Sequence, residues 1–188
     1  MEVSLSGFQA WLVHTFARVT PVAAFMRTHW GWPAAESVHF IGLSLLFGTI
    51  ALWDLRLLGV GKRIPIRALH ALVPWGLVGY GVSAASGLTF LMTEPVEYIY
   101  NPAFQFKVLF MALAGLNALA FYLTVGRRTL TRGAQEEAPR TAKVMAAASL
   151  VFWVAVIVCG RLLTFYRPGW CGADAPGWLS TCIPLKVR

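Results

Sequence analysis

Four apolar stretches, each about as long as a bilayer is thick, constrain this 188-residue chain more than any other feature. They cover residues 34–55, 69–92, 104–125 and 144–166. An α-helix rises about 1.5 Å per residue, so roughly 20 apolar residues cross the hydrocarbon core of a membrane. The alternation of apolar and polar residues typical of barrel strands is absent. The chain is therefore predicted to be an all-α, polytopic membrane protein with a four-helix bundle over residues 34–166.

The segment before these spans, residues 1–33, has a different pattern. Its apolar side chains recur at spacings of three and four residues, as on one face of a helix: Phe8, Trp11, Leu12, Phe16, Val19 and Ala23. Pro21 is expected to bend or end this helix. We interpret the segment as an N-terminal amphipathic helix lying at the membrane interface, followed by a linker. A short or broken fifth span is the alternative.

The placement of charge distinguishes a membrane protein from a nucleic-acid-binding protein. The net charge is +8, yet only 13% of the residues are charged, against about 25% in soluble domains. Basic residues gather in the loops at 54–67 and 126–143, whereas the loop between the second and third spans carries Glu94 and Glu97. Because Lys and Arg are retained in cytoplasmic loops, we expect a multi-pass protein of the bacterial inner membrane with both termini extracytoplasmic. Its expected partners are the lipid bilayer and other membrane proteins or copies of itself, and not nucleic acid.

The C-terminal tail, residues 167–188, is rich in Pro and Gly and contains Cys171 and Cys182. The charge pattern places this tail outside the cytoplasm, where an oxidising compartment permits disulfides. A short irregular segment also gains stability from a covalent link. The two cysteines are therefore predicted to form a disulfide. Cys159, inside the fourth span, is expected to pack as a small apolar residue.

Small residues crowd the second span, where Gly76, Gly79, Ser83, Ser86 and Gly87 follow one another closely. In lipid, burial of apolar side chains does not drive helices to associate. Close contacts between helix backbones do, and small side chains allow such contacts. Tight helix packing is the favoured interpretation. Space for a flat cofactor or a quinone is the alternative.

Ionisable residues inside the spans are candidates for function, because placing them in lipid is costly. Glu36 and His39 lie near the outer end of the first span, and their spacing puts them on one helix face. Lys107 in the third span and Arg161 in the fourth fall at a similar depth. These four groups are expected to converge. Asn117, near mid-membrane, is expected to make an interhelical hydrogen bond.

Two charged residues, Asp54 and Arg56, close the first span at its cytoplasmic end. Opposite charges at a helix terminus commonly serve the helix end and the orientation of the span. The simplest interpretation is a capping and topology pair.

Two interpretations compete for His39. In the functional one, it is an axial ligand of a b-type haem, the basic residues Lys107 and Arg161 pair with the propionates, and Gly42 lets the porphyrin lie against the helix. In the other, which the residues alone favour, it is a buried histidine hydrogen-bonded to Glu36 or to a neighbouring helix. The histidine that begins the second span lies roughly 20 Å away along the membrane normal, so it cannot bind the same iron.

Several short motifs resemble a bacterial family of small inner-membrane proteins of unknown function, over roughly residues 34–166. They include Glu36-Ser-Val-His39-Phe-Ile-Gly42, Asp54-Leu-Arg56-Leu-Leu-Gly59, Asn101-Pro102-Ala103-Phe104 and Gly160-Arg161. The resemblance implies a four-helix membrane fold and names no reaction.

A weaker similarity, to copper-resistance D-type and b-type cytochrome membrane domains, rests on a histidine followed by a glycine early in a helix. It implies haem b. The four spans hold no second histidine at the depth of His39, so the haem would be five-coordinate or would take its second ligand from His14 or His29.

Three functions stay open at this point. The first is a membrane subunit that binds haem b or a quinone near the outer face for electron transfer, with His39 as the metal ligand in the haem case. The second is a cofactor-free accessory or anchoring subunit of a larger membrane complex. The third is a small transporter, which is disfavoured because only Asn117 lies near the midplane, where transport sites usually sit. No pattern indicates that the chain is an enzyme on its own.

Overall fold

The structure, a computed structural model, describes residues 3–16, 20–133 and 135–165. In these ranges all regular structure is helical, and no strand occurs. The helices are α1 (Val3–Phe16), α2 (Thr20–Met26), α3 (Gly31–Leu58), α4 (Ile66–His70), α5 (Val73–Thr93), α6 (Pro95–Ile99), α7 (Pro102–Thr124), α8 (Gly126–Leu130) and α9 (Arg140–Leu162). Cys171 and Cys182 lie outside the described residues, so their predicted disulfide stays a prediction.

Four helical segments are long and apolar enough to cross a membrane, as predicted. They are Gly31–Leu58, Ile66–Thr93, Pro102–Thr124 and Arg140–Leu162, and the second combines α4 and α5. The first is longer than expected at both ends, which places Asp54 a full turn inside the helix. The all-α, polytopic four-helix fold is therefore confirmed.

The helix ends follow from local sequence signals. Pro21 falls in the first turn of α2, where proline is tolerated because the N–H that it lacks would have no partner within the helix. α3 ends at Gly59, whose φ of 107° lies in the left-handed region that glycine adopts without strain. α7 begins at Asn101, whose side chain accepts a hydrogen bond of 2.9 Å from the backbone N–H of Ala103. The amide of Asn101 also donates to the carbonyl of Leu163, which links the start of α7 to the end of α9.

The spanning helices pack in the order α5, α3, α9, α7. α5 and α7, which would complete the ring, make little direct contact. The two ends of the bundle differ in charge. We call the end with the loops at 59–65 and 125–139 the basic end, and the end with residues 94–101 the acidic end.

Glycines set the distance between α3 and α5. A Cβ atom on Gly42 would lie 2.7 Å from the backbone nitrogen of Ser83, and one on Gly79 would lie 2.6 Å from the backbone nitrogen of Leu46. Contacts this short require the two backbones to separate. The small residues of the second span therefore serve tight helix packing at these positions, which is the favoured interpretation of the pattern.

The basic end is held together by the buried side chain of Arg56, which is only 1% exposed. Its Nε donates to the carbonyl of Ile64 at 2.6 Å. Its Nη2 donates to the carbonyls of Lys62 at 3.3 Å and Glu136 at 3.5 Å. The guanidinium therefore faces the two loops, and both ion pairs in the described part of the chain involve Glu137.

An exposed carboxylate bridges the same two loops. Glu137 accepts from Lys62 at 2.6 Å and from Lys143 at 2.7 Å. The hydrogen bond from Lys143, followed by that from Lys62, lowers the pKa of Glu137 from 4.5 to about 2. Because the folded-state pKa is depressed, the stabilisation is present above pH 4.5 and is lost as the pH falls towards 2.

The effect of this bridge is expected to be small, since Glu137 and Lys62 are exposed to water and salt. Glu137→Gln should lower the thermal unfolding midpoint at pH 7 by roughly 2 °C. The difference from the unsubstituted protein should shrink between pH 4.5 and about 2 and in high salt. Unfolding curves in detergent at several pH values check this, and a difference that grew on acidification would contradict it.

Candidate functional site

His39 faces α5 from the half of α3 nearest the acidic end. Its Nδ1 lies 2.9 Å from the carbonyl oxygen of Ser83 and 3.1 Å from the hydroxyl of Ser86. Because a carbonyl oxygen can only accept, the imidazole donates from Nδ1, and in the neutral ring Nε2 keeps its lone pair. The ring also packs edge-on against Phe90, with centroids 5.9 Å apart. The hydrogen bonds go to the neighbouring helix and not to Glu36.

Lys107 supplies a positive charge whose field reaches His39. Its ammonium group acts electrostatically on His39 and on the thiol of Cys159. Nζ also lies close to Gly160, since a Cβ there would be 3.7 Å away. The ion pairs in the described part of the chain both involve Glu137, so Lys107 has no carboxylate partner there. An ammonium group without a partner, on an apolar helix, favours an anion or a hydrogen-bond acceptor beside it.

The other residues predicted for this site do not join it in the same way. Glu36 is exposed on α3. Arg161 is exposed, and its guanidinium carbon lies 5.3 Å from the ring centroid of Phe165. The space in front of Gly42 is filled by the backbone of α5, so a flat ring does not fit there. Of the predicted set, an electrostatic interaction links His39 and Lys107.

No group of three or more His, Cys, Asp or Glu suited to a metal ion occurs within residues 3–16, 20–133 and 135–165. His39 as a single metal ligand stays a prediction. Asn117 donates from Nδ2 to the carbonyl of Met145 on α9 at 3.0 Å, which is the kind of interhelical bond expected for it.

A cavity of about 510 Å³ lies between the four spans in the half nearer the basic end. Its walls carry five aromatic side chains, which are Trp53, Tyr80, Phe121, Tyr122 and Trp153. The gap between α5 and α7 lies on one side of it. At the basic end, the gap is bridged by His70, whose Nε2 lies 3.1 Å from the hydroxyl of Tyr122.

Asp54 is the carboxylic acid in the wall of this cavity. It is 3% exposed, and the hydroxyl of Ser149 on α9 lies near its carboxyl group. The second carboxyl oxygen, Oδ2, is buried and has no hydrogen-bond partner in the described part of the chain. A buried polar atom without a partner is costly and points to a function or to a missing ligand.

The cavity was not predicted from the sequence. The length of the first span was the one sequence feature that could have indicated it. If the helix continues to Leu58, Asp54 lies within the apolar interior. The approach of Ser149 from α9 depends on tertiary packing and leaves no local pattern.

These features define a multi-pass helical membrane protein with a histidine–lysine site near one end and an acid-containing cavity near the other. The chain belongs to a family of unknown function, DUF6644, whose family model matches residues 21–166. Comparisons with curated proteins and with solved structures gave no match.

Proposed function

We propose that this protein is an electron-transfer subunit of the cytoplasmic membrane that binds a quinone headgroup between His39 and Lys107. The observation that carries the proposal is the orientation of the imidazole. Nδ1 is held by α5 at 2.9 Å, so Nε2 is available to a ligand, and the ammonium group of Lys107, which has no carboxylate partner in the described residues, acts electrostatically on the same imidazole.

The two side chains have complementary roles towards such a ligand. A quinone supplies reversible two-electron, two-proton chemistry when bound. Nε2 of His39 would accept a hydrogen bond from a hydroxyl group of the reduced ring. The carbonyl of Ser83 orients the imidazole for this role, because it accepts from Nδ1. Lys107 donates to a ring oxygen and balances negative charge there.

Haem b is the second candidate, supported by the same arrangement at Nδ1, which is typical of metal-ligating histidines. Two residues predicted to serve the haem are engaged elsewhere, since α5 fills the space at Gly42 and Arg161 stacks on Phe165. The quinone needs neither residue, so it is the better-supported ligand.

The proposed orientation follows the charges of the loops. The basic end, with its arginines and lysines, faces the cytoplasm, and the acidic end faces outward with the quinone site. The spans expose large apolar side chains such as Ile41, Leu77 and Leu123, which contact lipid or partner subunits. A role as a cofactor-free accessory subunit uses this same surface and predicts no bound quinone.

The test measures quinone in the purified protein. His39→Ala should reduce the quinone extracted per chain several-fold, up to roughly tenfold, since a hydrogen bond between neutral groups contributes about 0.5–1.5 kcal/mol. Lys107→Met should reduce it similarly. His70→Ala, the same change at the opposite end of the bundle, is the matched control and should retain the quinone.

A reduced-minus-oxidised visible spectrum of the same samples separates the candidates. We expect no b-type absorbance in the unsubstituted protein. A b-type band that His39→Ala removes would overturn the quinone in favour of haem. Wild-type quinone content in His39→Ala, or equal loss in His70→Ala, would also refute the proposed site.

A further inference from the structure

We propose that the cavity around Asp54 is a second binding site, which takes a lipophilic organic cation from the bilayer. This inference does not rest on the quinone site, because the two sites lie in opposite halves of the bundle. Its ligand class follows from three properties of the cavity, namely its unpaired acid, its aromatic walls and its side opening.

The charge balance of the cavity calls for a cation. Oδ2 of Asp54 is buried without a hydrogen-bond partner in the described part of the chain. The lining residues include no lysine or arginine. The nearest arginine in sequence, Arg56, directs Nε and Nη2 to the loop carbonyls at the basic end, and no ion pair joins it to Asp54 in the described residues. A ligand cation would therefore supply the counter-charge that the protein does not, and an ion pair offsets the cost of a buried charge.

The walls suit an organic cation more than a metal ion. Aromatic faces attract cations through the ring quadrupole, most strongly for Trp. Trp53, Trp153 and Tyr80 line the cavity together with Asp54, and Tyr80 packs edge-on against Trp153 at 6.4 Å. A hard metal ion prefers several oxygen ligands, and no cluster of three suitable residues occurs in the described part of the chain. A charged group with apolar substituents matches both the acid and the rings.

The size and the opening of the cavity define how the ligand arrives. A volume of about 510 Å³ lies within the range of sites for drug-sized molecules. Because α5 and α7 make few close backbone contacts, the proposed entrance lies between these two walls of the cavity, where lipid chains surround the bundle. A molecule that partitions into the bilayer thus has direct access.

The experiment measures equilibrium binding of radiolabelled tetraphenylphosphonium to the full chain in lipid nanodiscs. Triphenylphosphine oxide, a neutral molecule with similar rings, is the competitor that tests the need for charge. Asp54→Asn removes the charge and keeps the side-chain size. Glu97→Gln makes the same kind of change in α6, away from the cavity, as its control.

A second pair of variants tests the cavity with Asp54 intact. A Cβ atom on Gly115 or on Gly81 would meet no atom within 4 Å, so both positions have room for a side chain. Gly115 lines the cavity and Gly81 does not. Gly115→Leu should therefore block the site, and Gly81→Leu should leave it open.

We expect the unsubstituted protein to bind the phosphonium saturably, and Asp54→Asn and Gly115→Leu each to weaken binding at least roughly tenfold. Glu97→Gln and Gly81→Leu should bind as the unsubstituted protein does. Equal binding by Asp54→Asn, or equally effective competition by the neutral oxide, would overturn the proposal. Absence of saturable binding by the unsubstituted protein would overturn it as well. None of these outcomes depends on the quinone content.

Discussion

Arg56→Met is expected to lower the free energy of unfolding by about 3 kcal/mol, which corresponds to roughly 10 °C in the thermal midpoint. The guanidinium is 1% exposed and donates to the carbonyls of Ile64, Lys62 and Glu136. Methionine keeps most of the side-chain volume and removes all three hydrogen bonds. These bonds come from a charged guanidinium, and such charge-assisted hydrogen bonds are stronger than those between neutral groups.

The matched control is Arg63→Met, an equal change of charge at an exposed position in the loop that follows α3. It should shift the midpoint by little. Arg56→Lys should fall between the two, because a single ammonium group cannot reproduce the fork of the guanidinium. Unfolding in detergent, followed by circular dichroism, provides the measurement. Equal midpoints for Arg56→Met and Arg63→Met would show that Arg56 does not hold the loops together.

The second large effect is expected at the contact between α3 and α5. Gly42→Ala should destabilise the bundle by about 2 kcal/mol or more, as overpacked cores do. The added Cβ would lie 2.7 Å from a backbone nitrogen and 2.9 Å from a backbone oxygen of α5. Backbone atoms cannot rotate away, so the helices must separate. That separation also moves Ser83 away from His39 and should lower the quinone content.

Gly48→Ala is the control, because a Cβ on Gly48 of the same helix meets no atom within 4 Å. Alanine is a better helix former than glycine by about 1 kcal/mol. Gly48→Ala should therefore leave the stability of the protein unchanged or raise it slightly. The two glycines should therefore respond with opposite signs or clearly different magnitudes. Thermal midpoints and the fraction of monodisperse protein after extraction test this. Equal responses at Gly42 and Gly48 would contradict the close contact.

The number and approximate limits of the spans could be predicted from the sequence, because they depend on hydropathy summed over about 20 residues. The end of the first span was harder to place. Asp54 and Arg56 look like the start of a polar loop, and the helix nevertheless continues to Leu58. Each is buried by a distant segment, Asp54 beside Ser149 and Arg56 against the loop at Glu136. Such partners leave no trace in the local pattern.

The candidate site was predicted only in part for a similar reason. Depth follows from the position along a span, so Lys107 could be assigned to the level of His39. Rotation about the helix axis does not follow, because spans that are apolar on all faces give no direction. Gly42 therefore turned out to face α5, and Arg161 lies beside Phe165.

A ligand that enters the cavity through the gap between α5 and α7 comes from the bilayer. Its relevant concentration is therefore moles per mole of lipid and not moles per litre of water. An apparent dissociation constant then contains the membrane partition coefficient as a factor. At a fixed total amount of ligand, adding empty lipid should weaken apparent binding by simple dilution. Compounds ranked by aqueous titration would be ordered largely by their solubility in the membrane.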